Sequence, residues 1–249
     1  MINEYHRPKT VEEAVSLLMR KDPKTLPLGG GTILSKSRED VAVVDLQDLG
    51  LDKILQEGGR TILGSMVKLE SLITHYGKTS SIGRALQIEA GQNIRNMATI
   101  GGTLVAGGGR SALLTVLVAC QAEVVLLPGN AHKSVEEWLE ERSGMAEKRI
   151  LISQIEILDA EKTLFESVGR SPNDQPIVCC AASLIKDELR IAFGGFGEYP
   201  ILAYKGQLDK DAWEIAAETL KDADDEWASG NYRFNAGKAL AKRMVESLG

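Results

Sequence analysis

Apolar residues recur with helical spacing near the start of the chain and then give way to short strand-like runs. Val11, Ala14, Val15 and Leu18 share one helical face, and Thr10 with a glutamate three residues later forms a capping box. These positions predict a helix over residues 10–20. Further apolar runs predict strands at 25–28, 41–45, 60–66, 123–127 and 149–157, and helices at 69–73, 82–90 and 111–120.

The last third of the chain has a different pattern, in which strand-length runs precede helical segments. Runs at 164–168, 177–184 and 189–193 have the length and composition of a three-stranded antiparallel sheet. Helices are expected near 208–221 and 235–248, and the polar stretch at 158–162 favours a domain boundary near residue 160. Three tryptophans fall in amphipathic segments that we interpret as helical packing anchors: Trp138, Trp213 and Trp227.

Composition excludes several classes of partner. The 249 residues are 43% hydrophobic with a net charge of -6, which favours neither nucleic acid nor an anionic membrane surface. No apolar run approaches the roughly 20 residues of a membrane span, and residues 1–5 lack a secretory signal pattern, so we expect a cytoplasmic protein without a membrane partner. The three histidines, His6, His75 and His132, have no metal-ligand spacing.

The cysteines do not suggest a redox centre. Cys120, Cys179 and Cys180 are an odd set without C-x-x-C spacing. Adjacent residues of a strand point to opposite faces, so Cys179 and Cys180 are predicted to be core residues. Because an iron–sulfur cluster normally requires four thiolates, any such cluster belongs to another chain.

The first candidate for chemistry is a run of three glycines after the strand at 25–28. Gly29, Gly30 and Gly31 precede Thr32, and successive residues without a Cβ let backbone N–H groups converge on a phosphate or diphosphate. A plain strand-to-helix turn explains the same residues. A third interpretation is a P-loop, with Ser35-Lys36-Ser37 after Gly30, but Ser35 stands where the second glycine belongs and no Walker B strand follows clearly.

The second candidate is the run Asn93-Ile94-Arg95-Asn96-Met97-Ala98-Thr99-Ile100-Gly101-Gly102-Thr103. An I-R-N-x-A-T-I-G-G run about 70 residues after a G-G-T loop resembles the flavoprotein (medium) subunits of the xanthine dehydrogenase and carbon monoxide dehydrogenase family, the molybdenum hydroxylases. The resemblance covers nearly the whole chain. It extends to four more segments: Tyr5-His6-Arg7-Pro8, Ile62-Leu63-Gly64-Ser65 (the family's "I-G-A"), Ala122-Glu123-Val124-Val125-Leu126 and Ser229-Gly230-Asn231-Tyr232-Arg233.

The resemblance implies an α+β fold. Residues 1–160 would form a two-lobed PCMH or vanillyl-alcohol-oxidase-type FAD-binding domain, with lobes at about 1–55 and 56–160. Residues 161–249 would form a small CO dehydrogenase flavoprotein-like C-terminal domain of antiparallel sheet and helices. It further implies that both glycine turns present backbone amides to FAD and that an aliphatic side chain, Ile152, packs near the isoalloxazine ring. The implied cofactor-binding residues are Pro27, Leu28, Gly29, Gly30, Gly31, Thr32, Ile33, Leu34, Thr99, Ile100, Gly101, Gly102, Thr103 and Ile152.

The resemblance also implies the function of an electron relay without catalytic acid, base or nucleophile of its own. The substrate would be oxidised on a molybdopterin-binding large subunit, and electrons would pass through a [2Fe–2S] small subunit and FAD to NAD⁺ or another acceptor. Two alternatives stay open: a free-standing FAD-dependent oxidase of the same fold, and a degenerate scaffold subunit that binds no flavin.

Four positions depart from the family pattern. Thr103 stands where most members have Asn, Ala112 where an FAD-binding Asp is usual, Ile33 where G-G-T-D-L has Asp, and Glu166 where some members have Lys. These departures predict low affinity for FAD outside a complex. The loop at 107–111, Gly-Gly-Gly-Arg-Ser, would either approach the cofactor or be mobile, and Arg95 would either neutralise the diphosphate or stack between the lobes.

Overall fold

The computed structural model describes residues 2–34, 40–145, 149–171 and 174–249, and these form two compact units. The first unit comprises Met1–Ser71, Gln92–Ala106 and Glu123–Glu156. The second comprises Leu72–Gly91, Gly107–Ala122 and Ile157–Gly249. The chain therefore passes between units several times, and the predicted domain limits at 1–160 and 161–249 stay a prediction.

A small parallel sheet opens the first unit. Its elements are β1 (Ile2–His6), α1 (Val11–Met19), β2 (Thr25–Leu28) and β3 (Val41–Asp45), with strand order β1-β3-β2. Every residue of β3 is buried, since it is the central strand of this sheet and Val44 on it packs in one cluster with Ala14 and Leu18 of α1. Thr10 caps α1 by accepting from Glu13 N at 3.2 Å, and Ala14 and Leu18 are the buried residues of this helix, which confirms the predicted helix.

A five-stranded sheet completes the first unit. Its strands are β4 (Ile54–Glu57), β5 (Arg60–Gly64), β6 (Glu123–Leu127), β7 (Ala131–Ser134) and β8 (Leu151–Leu158), in the order β4-β5-β8-β6-β7. β8 is therefore the central strand. The helices of this unit are α4 (Gln92–Arg95), α5 (Ile100–Ala106) and α7 (Val135–Met145), and α2 (Leu69–Tyr76) begins in it.

The second unit packs helices on an antiparallel sheet. Its elements are α3 (Ser81–Glu89), α6 (Ala112–Ala119), β9 (Lys162–Val168), β10 (Val178–Ile185), β11 (Glu188–Gly194), β12 (Ile201–Gln207), α8 (Ala212–Glu218) and α9 (Gly230–Leu248). All eight residues of α6 are buried, so this helix is apolar on every side. Val178, Phe193, Leu220 and Leu240 belong to one hydrophobic cluster between β10, β11 and the last helices.

Two predictions about the second unit were wrong. The sheet has four strands in the order β12-β11-β10-β9, because Ile201–Gln207 pairs with β11 although most of its residues are only half-buried. Trp227 lies in a bend and is 39% exposed, with the guanidinium of Arg110 over its ring at 4.2 Å. The other predictions for these residue types hold: Trp138 is buried in α7, and Cys179 and Cys180 are buried, free and adjacent in β10.

Candidate functional site at two glycine turns

The first glycine turn follows the end of β2, where Leu28 lies opposite Asp45 of β3. Gly31 has a φ of +71°, a left-handed conformation that residues with a Cβ adopt only at a cost. Among the residues that the structure describes, the backbone N–H groups of Gly29, Gly30 and Gly31 have no acceptor. No described group thus accepts from these three consecutive donors, a pattern that suits the binding of an anion.

The second glycine turn begins α5, and its amides are already engaged within the protein. Ile100 N donates to Val67 O at 3.0 Å and Gly101 N donates to Ser65 O at 2.9 Å. Thr99 accepts the next two amides, from Gly102 N on its Oγ1 at 3.1 Å and from the following residue on its carbonyl at 2.9 Å. The amides of residues 100–103 thus fix the turn itself, so this turn differs from the first in having no outward set of free donors among them.

The two turns touch each other through their backbones. A Cβ built on Gly30 would lie 1.8 Å from Met97 O and 2.6 Å from Met97 C, which no real side chain tolerates. A Cβ built on Gly29 would lie 3.1 Å from Thr99 Oγ1. Glycine is therefore required at position 30 by close approach, and two runs almost 70 residues apart in sequence form one site.

The segment after β5 runs beside the second turn and holds it in place. Lys68 and Thr99 form an isolated antiparallel bridge, and Leu69 N donates to Ala98 O at 3.1 Å. Ser65 is 4% exposed, and its hydroxyl has no hydrogen-bond partner in the described ranges. A buried hydroxyl without a partner beside Gly101 fits a site that a ligand completes. The sequence signal for it was a serine where the family's "I-G-A" strand has alanine.

The two basic side chains beside the second turn, Arg95 and Lys68, have different hydrogen-bond partners. Arg95 donates from Nε to Glu70 Oε2 at 2.7 Å, with only 11% of the arginine side chain exposed. Arg95 and Glu70 therefore form an ion pair within the first unit, and the two roles considered for Arg95 stay predictions. Lys68 donates from Nζ to Met97 O at 2.9 Å, and burial lowers the pKa of Lys68.

The remaining predicted site residues lie around the first turn or in β8. Pro27 lies in β2 next to Leu28, and Ile33, which follows the first turn, is 57% exposed. Ile152 lies in β8 opposite Leu126 and is 5% exposed, so it offers little surface to a ligand and its role stays a prediction. The residues of the P-loop alternative, Ser35, Lys36 and Ser37, lie outside the described residues.

The departures from the family pattern in the second unit have structural explanations. Gly109 packs on a backbone, since a Cβ there would lie 1.8 Å from Phe196 O, and Arg110 Nε donates to Pro176 O at 2.9 Å. The loop at 107–111 is therefore anchored within its own unit. Ala112 is fully buried in α6, and Glu166 pairs with Arg243, so the negative charge at position 166 is compensated.

The C-terminal signature has a structural role in the second unit. Ser229 caps α9 by accepting from Tyr232 N at 3.3 Å. Arg233 is completely buried, and its guanidinium donates to the loops that surround the start of α9. The resemblance found at residues 229–233 thus reflects a packing centre of this unit.

A strand followed by glycine amides without an acceptor among the described residues, and braced by a second glycine turn, is an arrangement typical of phosphate sites in nucleotide-binding domains. Residues 1–157 match the family model described as "FAD binding domain in molybdopterin dehydrogenase". The chain belongs to this family, an oxidoreductase family whose cofactor is FAD, as the resemblance implied.

Individual relatives extend the similarity beyond the matched domain. Protein YgfM of Escherichia coli K12 is 31% identical over 225 residues, which cover 87% of this chain and 84% of the relative. The carbon monoxide dehydrogenase medium chain of Hydrogenophaga pseudoflava is 29% identical over 280 residues, covering 98% and 96%. Quinoline 2-oxidoreductase from Pseudomonas putida 86 has a similar fold, with a TM-score of 0.80 at 20% identity over 98% of this chain and 95% of that one. The predicted α+β fold of this family is confirmed.

None of the helices within the described ranges combines the length and the apolar composition that a membrane crossing requires.

Proposed function

We propose that this chain is the FAD-binding electron-transfer subunit of a molybdenum hydroxylase complex. Its partners are a molybdopterin-binding large subunit and a [2Fe–2S] small subunit, and electrons leave through FAD to NAD⁺ or another acceptor. The relative from Hydrogenophaga pseudoflava is named as a medium chain of carbon monoxide dehydrogenase, which supports a role within a complex. Cys120, Cys179 and Cys180 are all buried and free, which supports an iron–sulfur relay on a separate chain.

The observation that carries the proposal is the set of amides at Gly29, Gly30 and Gly31, for which the described part of the chain offers no acceptor. Hydrogen bonds from such donors to a charged oxygen contribute about 1.5–3 kcal/mol each, so three of them suffice to orient a diphosphate. The second turn supports this role by bracing the first against Met97 and Thr99. These residues fit FAD, whose diphosphate is the group that such a cradle recognises.

The chemistry of the proposed role lies in the cofactor. FAD, when bound, accepts and releases electrons, while the residues of this chain bind it, orient it and exclude water. We assign the cofactor-binding role to residues 27–34 and 99–103, with Ile152 as the proposed aliphatic contact near the ring. Within the second turn, Thr99 stabilises the start of α5 by accepting from Gly102 N, and we assign it no amide donor to FAD.

Substitution of Gly30 by alanine tests the site. The new Cβ would collide with Met97 O, so the turns must separate, and overpacking of this kind costs about 1–3 kcal/mol. FAD affinity, measured by fluorescence titration of the complex, should therefore fall about ten- to hundredfold. Gly144→Ala is the matched control, because nothing lies within 4 Å of its added Cβ, and it should bind as the wild type does. Equal binding by both variants would refute the site.

A second experiment tests the role within a complex. The tagged chain, purified from its native host, should elute on gel filtration with chains that contain molybdenum and iron, and with flavin in its visible spectrum. A flavin-containing homodimer or monomer that turns over without partners would instead establish the free-standing oxidase. Co-purification with both metals but no flavin, even after addition of FAD, would establish the scaffold.

A further inference from the structure

Lys68 lies where the two glycine turns meet. Its backbone bridges to Thr99, and its Nζ donates to Met97 O at 2.9 Å. This is the same carbonyl that a Cβ on Gly30 would strike at 1.8 Å. The Lys68 ammonium therefore donates a hydrogen bond to Met97 O, the same oxygen that the first turn approaches.

Lys68 and the nearby Arg95 have different electrostatic surroundings. Arg95 is paired with Glu70 at 2.7 Å. Lys68 has no carboxylate within 4.0 Å among the described residues. Asp45 acts on it only at longer range, and that carboxylate is engaged by Tyr5 and by Gln47, whose backbone N donates to it at 3.0 Å. Among the described residues, Lys68 is thus a half-buried cation that no carboxylate pairs with.

A lysine in this position has donors left over. An ammonium carries three N–H groups, and Met97 O accepts one of them, so two remain to point elsewhere. The nearby amides of Gly29 to Gly31, which donate to no group in the described ranges, mark where an anion would lie. Removing a cation partly from water costs free energy, which a bound anion at this place offsets.

We propose that Lys68 is a binding residue for the FAD diphosphate, contributing the positive charge that the glycine amides lack. This inference rests on the proposed function, because it takes FAD as the ligand of the two turns. It predicts that FAD affinity depends on ionic strength, since salt screens the attraction between the ammonium and the diphosphate.

The experiment compares variants that separate charge from hydrogen bonding. Lys68→Gln keeps a donor for Met97 O but removes the charge, and Lys68→Arg keeps the charge. Lys53→Met removes a charge from an exposed lysine of the same unit and serves as the control. FAD titrations of the complex at low and high salt should give about ten- to hundredfold weaker binding and a flatter salt dependence for Lys68→Gln, with Lys68→Arg and Lys53→Met close to wild type.

The outcomes distinguish a failure of the proposed function from a failure of the inference about Lys68. Wild-type complex that binds no FAD refutes the proposed function and this inference with it. Wild-type binding together with unchanged affinity and salt dependence in Lys68→Gln refutes the inference alone. Circular dichroism of each variant before titration checks folding, and if Lys68→Gln is unfolded, failure of the folded Lys68→Arg variant to retain salt-dependent binding overturns the inference equally.

Discussion

Replacing Arg233 by methionine should destabilise the second unit strongly. The side chain is completely buried, and methionine fills much of the same space without any donor. The guanidinium donates to four carbonyls and one carboxylate: Ile177 O at 2.9 Å, Ala228 O at 3.0 Å, Gly195 O at 3.3 Å, Ala223 O, and Asp225 at 2.8 and 2.9 Å. All of these acceptors lose their arginine donor at once in Arg233→Met, although Ala228 O and Asp225 keep backbone donors.

The magnitude follows from how far water can replace the arginine. A buried acceptor that loses its donor costs about 1–3 kcal/mol, and values near the lower end of that range for these carbonyls amount to about 3–5 kcal/mol in all. Asp225 can rehydrate, because 28% of its side chain is exposed and it also accepts from Trp227 N at 2.8 Å, so its share is small. The four carbonyls lie in the loops around the start of α9, and the loss of their arginine donors accounts for most of the destabilisation. A protein of this size loses about 2–4 °C in Tm per kcal/mol, which gives a fall of about 6–20 °C.

Differential scanning calorimetry with matched variants checks this estimate. Arg84→Met removes an arginine from an exposed position on α3 in the same unit and should shift the unfolding free energy by less than about 0.5 kcal/mol. Arg233→Lys keeps the charge but has fewer donors in a different geometry, so it should fall between the wild type and Arg233→Met. A Tm for Arg233→Met within the range of the Arg84→Met control would refute the reasoning.

Two further predictions concern buried titratable groups of the second unit. Burial raises the pKa of Glu89 above 4.5, although Leu113 N and Ser111 Oγ donate to it. Since its folded pKa is the higher one, the stability it contributes is complete below the unfolded pKa and is lost as pH rises through the folded pKa. Glu89→Gln should abolish that decline in urea midpoints taken from about pH 4 to about pH 8, and an unchanged slope would contradict the assignment. Burial also raises the pKa of Cys179 to about 12, so native protein near about pH 8 should resist a thiol-specific chromogen that reacts with all three cysteines in urea; fast native reaction would be the contrary result.

The sequence predicted those elements that are defined by neighbouring residues, either through a helix cap or through an uninterrupted apolar run. The capping pair of Thr10 and Glu13 marks the start of α1, and the apolar run of β6 was predicted with the observed limits, Glu123–Leu127. In both cases the residues that define the element are contiguous. The family resemblance rested on similar short contiguous motifs, which is why it was accessible before the fold was known.

Strands at sheet edges were harder to predict. β4 and β12 each pair along one edge only, and most of their residues are partly or fully exposed, so their apolar pattern is weak. Their strand conformation is stabilised by ladders to β5 and β11, which the residues of β4 and β12 alone do not encode. The amphipathic segment around Trp227 predicts a helix, but the residue lies in a bend before α9, where Asp225 accepts from Trp227 N and pairs with Arg233 of α9.

The candidate site divides along the same line, because glycine content predicts that a turn is tight but not where its amides point. Both runs contain adjacent glycines, yet the amides of residues 100–103 are engaged by Val67 O, Ser65 O and Thr99, whereas those of Gly29 to Gly31 have no acceptor in the described ranges. The difference arises from the segment after β5, whose carbonyls at Ser65 and Val67 accept amides of the second turn but none of the first. A motif therefore locates a cofactor site, while the strand packed beside it determines which of its donors remain for the ligand and which hold the site together.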